Sequence, residues 1–324
     1  YGKSSSAHLI WFSVVGHAEA PMSTTTRLTR ADDPHRRLGE AVKTLLRGSG
    51  AGHEEVARML TDLPTGWELH GDLVLLPKDA FCGEEWQAVD TELWGAVAGA
   101  LSAQRVARKG EISGGERRPD VEMLLGEDGW VTHREHGIDY SFDVTKSMFS
   151  AGNLSERGRV GELSCTGETV LDLYAGIGYW TLPLLISASA SHVHACEWSE
   201  DSLHALGHNL TANGVADRCT VHRGDNRVAL ADGGSAADAL GSCDRVLLGL
   251  LPNSQDGWPL ALAALKPEGG WLHLHGNAPG GDEEVWGDSV VRELSEMDSR
   301  PVTVERLVKV KWYAPHVRHC VLDL

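Results

Sequence analysis

The sequence predicts an α/β protein: a mostly parallel sheet with helices on both faces, preceded by a small α+β unit. Three observations point there. The apolar run 170–173 contains Asp172, the turn after it carries Gly176 and Gly178, and a helix marked by Leu182, Leu184 and Leu185 follows. That is the strand, glycine turn and helix that open a nucleotide-binding sheet. The next apolar run, 192–196, ends at Glu197, about 20 residues on, where a carboxylate can hold ribose hydroxyls. From residue 168 onward strands and helices alternate, a rhythm that implies a parallel sheet.

Three segments follow along the chain: 1–50, of poorly defined character; 51–160, a small α+β unit; and 161–324, the α/β domain. The first holds the polar or Gly-rich breaks 4–6, 23–26 and 48–52, with a helix expected over 38–46. In the second, a short helix over 53–60 stops before Pro64, and 67–76 reads as strand, turn and strand. Trp86, Val89, Leu93, Trp94 and Val97 recur at helical spacing over 84–101. Residues 105–119 are basic and contain glycine, so a loop with a short strand is expected. Runs 121–125 and 130–135 flank a Gly-bounded turn and read as a hairpin, and 138–144 is a further strand. In the third, strands are expected over 169–174, 193–197, 219–223, 245–250 and 270–275, with helices over 179–187, 201–213 and 283–297. The final runs 302–310 and 316–324 form an antiparallel pair.

At 324 residues the chain has room for two domains, and no apolar run reaches the ~20 residues of a membrane helix. Residues 8–15 are apolar but lack a cationic leader or clean cleavage site, so no signal peptide is assigned. The chain starts at Tyr1, not Met, which suits a fragment. The six cysteines are scattered without a Cys-x-x-Cys pair, and they read as free thiols of a reducing, cytoplasmic compartment. No metal centre, no membrane partner and a monomeric state are expected. Net charge is −17, which argues against indiscriminate nucleic-acid binding but leaves room for local patches. Basic residues cluster at Arg27, Arg30, Arg36 and Arg37, at Arg105, Arg108, Lys109, Arg117 and Arg118, and at Arg306, Lys309, Lys311 and Arg318. Each cluster taken separately is first a solvated surface.

The glycine turn does not suit a dinucleotide. A pyrophosphate binder needs a third glycine at the helix start, where this chain has Tyr179, Trp180 and Thr181. Asp172 would also repel phosphate, and an acid there suits a ligand with an amino group. Asp-x-x-x-Gly-x-Gly followed by an acid at the next strand end is similar to the class I S-adenosylmethionine-dependent fold, a mostly parallel seven-stranded sheet. The short strand 219–222 leads into Gly224, Asp225 and Asn226, where such folds read the adenine amine, although Asp225 alone could be a turn residue bonding its own backbone.

The segment 142–153, with Ser155, Glu156, Arg157 and Arg159, resembles the tRNA wybutosine-synthesising protein 2 family, whose relatives are the archaeal and eukaryotic tRNA guanine-37 N1-methyltransferases. The resemblance runs through 172–185, 194–198, 224–227, 248–254, 270–275 and 311–316, and covers about residues 60–324. It implies transfer of the 3-amino-3-carboxypropyl group of S-adenosylmethionine to carbon-7 of 4-demethylwyosine at position 37 of phenylalanine tRNA, with methylthioadenosine released. Cofactor contacts are then expected from Asp172, Tyr174, Ala175, Gly176, Gly178, Glu197, Trp198, Asp225, Asn226 and Leu250. Lys146 and Ser150 would flank the transferred arm or the target base. Arg105 and Arg108 are candidate tRNA contacts, and Arg157 and Arg159 could bind tRNA phosphate or the cofactor's carboxylate; for Arg157 and Arg159 a helix-face ion pair with Glu156 or Glu162 is the alternative. His275, at a strand's carboxyl end, is a candidate base for the carbon-7 proton; a core or solvent-facing histidine is the alternative and the commoner case.

Two departures separate the chain from the methyltransferase relatives. Leu250 stands where they carry Asn, and residues 151–153 lack the Arg they carry there. A site that keeps the cofactor motif and drops both polar groups is poorly suited to deprotonating guanine. The rival readings are the guanine-37 methyltransferase and, from a different class, a non-catalytic tRNA-binding protein.

Overall fold

Asp33 starts the first ordered element of the computed structural model, which describes residues 33–113 and 118–324. The breaks at 4–6 and 23–26, the run 8–15, and Arg27, Arg30 and Arg117 lie outside the described residues. Asp33 caps helix α1 (Pro34–Gly48) by accepting the N–H of His35, and Pro34 opens the first turn. Leu38, Val42 and Leu46, four apart, bury one stripe of it. The helix is longer than the 38–46 expected, because that cap and proline precede the apolar stripe. Helices α2 (His53–Met59) and α3 (Asp90–Ala100) pack beside it.

Four strands form the small sheet: β1 (Glu68–His70), β2 (Leu73–Leu76), β3 (Arg105–Ser113) and β4 (Arg118–Leu125), in the order β1-β2-β3-β4. Two expectations are corrected here. Residues 105–113 are a full strand, pairing parallel with β2 and antiparallel with β4, with Val106 and Ala107 buried. Run 121–125 pairs back onto β3, not forward onto 130–135; β5 (Trp130–Glu135) pairs instead with β6 (Ile138–Asp143). Alternation along β2 explains how both faces of the small sheet are used. Val74 and Leu76 face the α1–α3 core, and Leu73 and Leu75 join a second core.

That second core continues through Val131, Tyr140 and Phe142 into the main sheet. After α4 (Leu154–Gly161) come β7 (Thr169–Asp172), α5 (Thr181–Ile186), β8 (His192–Glu197), α6 (Glu200–Ala212), β9 (Cys219–Arg223) and α7 (Asn226–Ala229). The chain closes with β10 (Arg245–Leu248), α8 (Trp258–Ala264), β11 (Trp271–Pro279), α9 (Glu283–Met297), β12 (Arg306–Ala314) and β13 (Val317–Asp323). The sheet order is β12-β13-β11-β10-β7-β8-β9. Strands β7 to β11 run parallel and β13 is antiparallel to both neighbours. Strand β10 is buried along its whole length, as the middle of a two-sided sheet requires.

The order reverses between β7 and β10, and the carboxyl ends at such a switch point form the natural crevice of this architecture. Strand β11 is longer than the sequence suggests: residues 275–279 run on past the end of β10, paired to the first residues of β13. Asn209 on α6 accepts the N–H of Ser141 at 2.7 Å, so the β5–β6 pair is tied directly to the α/β layer. All six cysteines are free thiols. Among the described residues, no helix is long and apolar enough to cross a membrane and no group of His, Cys, Asp or Glu is placed to hold a metal ion.

Candidate cofactor and substrate site

A cavity of about 320 Å³ opens at the carboxyl ends of β7, β8, β9 and β10. Its walls include Tyr174, Gly176, Glu197, Trp198, Asp225, Asn226 and Leu250, seven of the ten residues expected to hold a cofactor. Tyr179, Arg227, Gly249 and Asp256 also line it and were not singled out from the sequence. Arg227 follows two residues that were, and Gly249 closes the β10 run, so both had a positional signal.

The turn after β7 is built around two left-handed glycines, Gly176 at φ +58° and Gly178 at φ +100°. A Cβ on Gly176 would also lie 2.5 Å from the Tyr179 ring, so this position needs glycine for both reasons. Gly178 faces the other way. A Cβ there would meet Leu182 and Leu206, so this glycine serves packing of the helix layer rather than the cavity. Ala175 is likewise buried, with its N–H on the carbonyl of Cys196 at 3.0 Å.

Asp172 does not reach the cavity. It is fully buried, accepts the Thr181 hydroxyl at 2.8 Å and takes the Tyr174 N–H at 3.2 Å. Burial pushes its carboxyl up to about 6. Its work is to brace the turn, which corrects the reading of Asp172 as a partner for the ligand's amino group. Glu197 is different. One carboxylate oxygen accepts Gly176 N–H at 2.7 Å, and the other accepts Trp198 N–H and Ser199 N–H, each at 2.8 Å. Burial raises its pKa against the pull of these three donors. The side chain still lines the cavity, with lone pairs left for a hydroxyl.

Asp225 combines its two expected readings. It caps α7 through the N–H of Arg227 at 2.9 Å, pairs with the Arg227 guanidinium, and lines the cavity. That hydrogen-bonded Arg227 holds its carboxyl below the usual range. Asn226 donates to the carbonyl of Leu173 at 3.0 Å, which fixes its amide at the end of β7. Gly249 lets the Trp180 indole pack against the backbone beside Leu250, where any Cβ would collide with Nε1.

The 142–153 segment reaches this edge of the sheet through Tyr179, whose hydroxyl donates to the Met148 carbonyl. Ser150 Oγ accepts the Lys311 ammonium at 2.6 Å, which ties the segment to β12. Lys146 is over half exposed and lies 3.5 Å from Asp143. Neither Ser150 nor Lys146 is on the cavity wall.

Five further candidates are defined by what surrounds them, and for two of them, His275 in the core and Arg159 paired with Glu156, the alternative reading is the one observed. His275 is buried: its Nδ1 is 3.0 Å from His319 Nε2 and its ring packs on Trp180. Burial, then the neighbouring His319, pushes its pKa well below the ordinary value, so it is a poor base away from the cavity. Arg157 is 1 % exposed and grips Glu135 through two nitrogens, with a third bond to the Ser150 carbonyl at 3.0 Å. Arg159 is shared between Glu156 and Asp323, at 2.7 and 2.6 Å. Arg105 joins Asp72 to the carbonyl of Trp130. Arg108 joins Glu122, at 2.7 Å, to the carbonyl of Ala80. Each of the four guanidiniums is held by an acid together with a second acid or a backbone carbonyl, and that of Arg157 is fully buried.

Residues 131–305 match the family described as TRM5/TYW2 methyltransferase domain, and residues 53–129 match the TYW2 N-terminal domain. The chain is 40 % identical over 346 residues to the cattle (Bos taurus) tRNA wybutosine-synthesizing protein 2 homolog, covering 90 % of this chain and 77 % of that protein. It is 45 % identical over 300 residues to tRNA wybutosine-synthesizing protein 2/3/4 of Arabidopsis thaliana. That match takes in 91 % of this chain but 29 % of the plant protein, so the chain spans under a third of that longer relative. Among solved structures it is similar to Pyrococcus horikoshii TYW2 in complex with MeSAdo, with TM-score 0.72 and 29 % identity over 88 % of this chain and 97 % of the other.

Proposed function

Because the chain belongs to the TYW2 family within the TRM5/TYW2 group, we propose that it transfers the 3-amino-3-carboxypropyl group of S-adenosylmethionine to carbon-7 of 4-demethylwyosine at position 37 of phenylalanine tRNA, releasing methylthioadenosine. The observation that carries this over simple methylation is the wall of the cavity at the end of β10. Gly249 and Leu250 stand there, and neither side chain offers an acceptor for a ring N–H.

The cavity suits S-adenosylmethionine. Glu197 presents a carboxylate to ribose hydroxyls, Gly176 removes the side chain that would fill the floor, and Tyr174, Trp198 and Leu250 supply apolar walls for an adenine. Bound there, the cofactor supplies a carbon made electrophilic by the attached sulfonium. The chain's own part is orientation, because which of the three sulfonium carbons reacts depends on which lies in line with the nucleophile. Glu197 and Gly176 hold one end of that geometry. The Met148 carbonyl on Tyr179, and Lys311 on Ser150, hold the 142–153 segment over the same edge. The test is to supply S-adenosylmethionine labelled either in the methyl or in the carboxypropyl group, with hypomodified tRNA. Carboxypropyl label on the RNA supports the reading; methyl label assigns the guanine-37 methyltransferase instead.

A further inference from the structure

A second cavity, of about 140 Å³, lies between the small sheet and the 142–149 segment. Two of its lining side chains keep a buried polar atom with no partner: His70 Nδ1, in a residue 2 % exposed, and Ser147 Oγ, in a residue 6 % exposed. Buried polar atoms in folded proteins are nearly always paired, so two orphans in one cavity mark a place built for something else. The volume is several times the ~30 Å³ share of one water, so there is room for a larger body. The rest of the wall is largely apolar, with Phe142 and Phe149 stacked at 5.4 Å and 13°, and Leu75 and Val121 beside them.

The chemistry of an occupant follows. His70 Nε2 lies 3.1 Å from the Glu68 carboxylate and donates to it. With the ring neutral, Nδ1 is left as an acceptor and suits an N–H from the occupant. Ser147 can donate or accept. The apolar wall of Leu75, Val121, Val144 and the phenyl edges favours a flat, largely apolar body. Glu68 and Asp120 at the cavity disfavour an anion, and Lys109 there is already on Glu68 at 2.5 Å. A neutral heteroaromatic ring with an N–H edge meets all four conditions, and the nucleobases are the biological class that does so.

We infer that this cavity receives an unpaired nucleobase other than the one that is alkylated. Tyr179 and its bond to the Met148 carbonyl stand between it and the cofactor cavity, so a base seated here cannot present a carbon to the sulfonium. The cavity shares Glu68, Leu75, Lys109 and Gly110 with an adjoining groove of about 410 Å³ walled also by Trp67, Pro77 and Lys78. A strand of RNA can enter along that groove, which a free nucleoside would not need. The RNA source rests on the proposed function; the nucleobase chemistry does not.

The test uses Ser147→Ala in the full chain. Its hydroxyl bonds no protein group, so thermal stability should hold, and S-adenosylmethionine affinity should not change. Affinity for an anticodon stem-loop should fall about five- to tenfold, with KM for RNA raised and kcat kept. A 2-aminopurine placed in turn at each loop position should be quenched by wild type at one position other than 37, and not by Val121→Trp, which fills the cavity. A loss confined to free adenosine, guanosine or cytidine would keep the nucleobase class and overturn the RNA source. Unchanged affinity for RNA and nucleosides in both variants would overturn the inference. If wild type forms no methylthioadenosine at all, the proposed function fails, whatever these affinities are.

Discussion

The Glu197 carboxylate accepts the backbone N–H of Gly176 at 2.7 Å, so the acid that ends β8 also fastens the turn that follows β7. One residue therefore carries two tasks, and two substitutions separate them. Glu197→Ala should cost roughly 1.5–3 kcal/mol of S-adenosylmethionine binding, the value of a charge-assisted bond, and should also lower the melting temperature. Glu197→Gln keeps an acceptor for the backbone and should recover stability more than affinity. Calorimetry that finds wild-type affinity in the Ala variant would remove Glu197 from the cofactor site.

Asp172 gives a pH signature. Its carboxyl titrates near 6 in the folded protein, against 3.8 for an ordinary Asp, because burial disfavours the charge. The unfolded chain gives up this proton first as pH rises. The stability Asp172 adds is therefore complete below pH 4 and lost between about pH 4 and 6, by about 3 kcal/mol. Asp172→Asn should remove that slope and leave the neutral-pH fold as stable as wild type or more so. Urea titrations at pH 4.5 and 7 measure it; an unchanged pH dependence would contradict the assignment.

The Arg157–Glu135 pair is buried on both sides. Arg157→Met should destabilise by about 3–5 kcal/mol, because an unpaired carboxylate is left inside, and the double change with Glu135→Leu should recover much of it. Denaturant unfolding of the two variants and wild type is the check. A mild effect of the single change, with a large loss of RNA affinity, would return Arg157 to the RNA surface.

Arg105 and Arg108 are held by Asp72 and Glu122. Removing both should leave the log–log salt dependence of tRNA binding within about half a unit of wild type, where two true phosphate contacts would flatten it by about two. The same double variant should melt at a lower temperature. A flattened slope would make them RNA contacts after all.

These arginines show where sequence reading stopped. Cavity residues such as Tyr174, Glu197 and Asp225 sit at a strand end or two positions beyond it, and the strand pattern places them without knowledge of distant contacts. The arginines are different. Arg105 finds its acid 33 residues away, and Arg159 finds one 164 residues away. The pair of Arg159 with Glu156, three residues away, is legible as a local pattern; the long-range partners are not. His275 is the core histidine of its alternative reading: β11 outruns β10 to Pro279, so a residue at an expected strand end lies within a strand covered by β13 and Trp180. The β4–β5 turn looked like a hairpin because turn chemistry reports a reversal, not which strand becomes the partner.

The most direct measurement of the central claim is the nucleoside left behind. Purified protein, S-adenosylmethionine and tRNA carrying 4-demethylwyosine are incubated together, and the small-molecule fraction is resolved by chromatography. With Gly249 and Leu250 at the end of β10 and no polar acceptor from either side chain, the account predicts methylthioadenosine as the product, formed one-for-one with modified tRNA, and S-adenosylhomocysteine at trace level. S-adenosylhomocysteine as the main product, with a methyl group on the RNA, would contradict it.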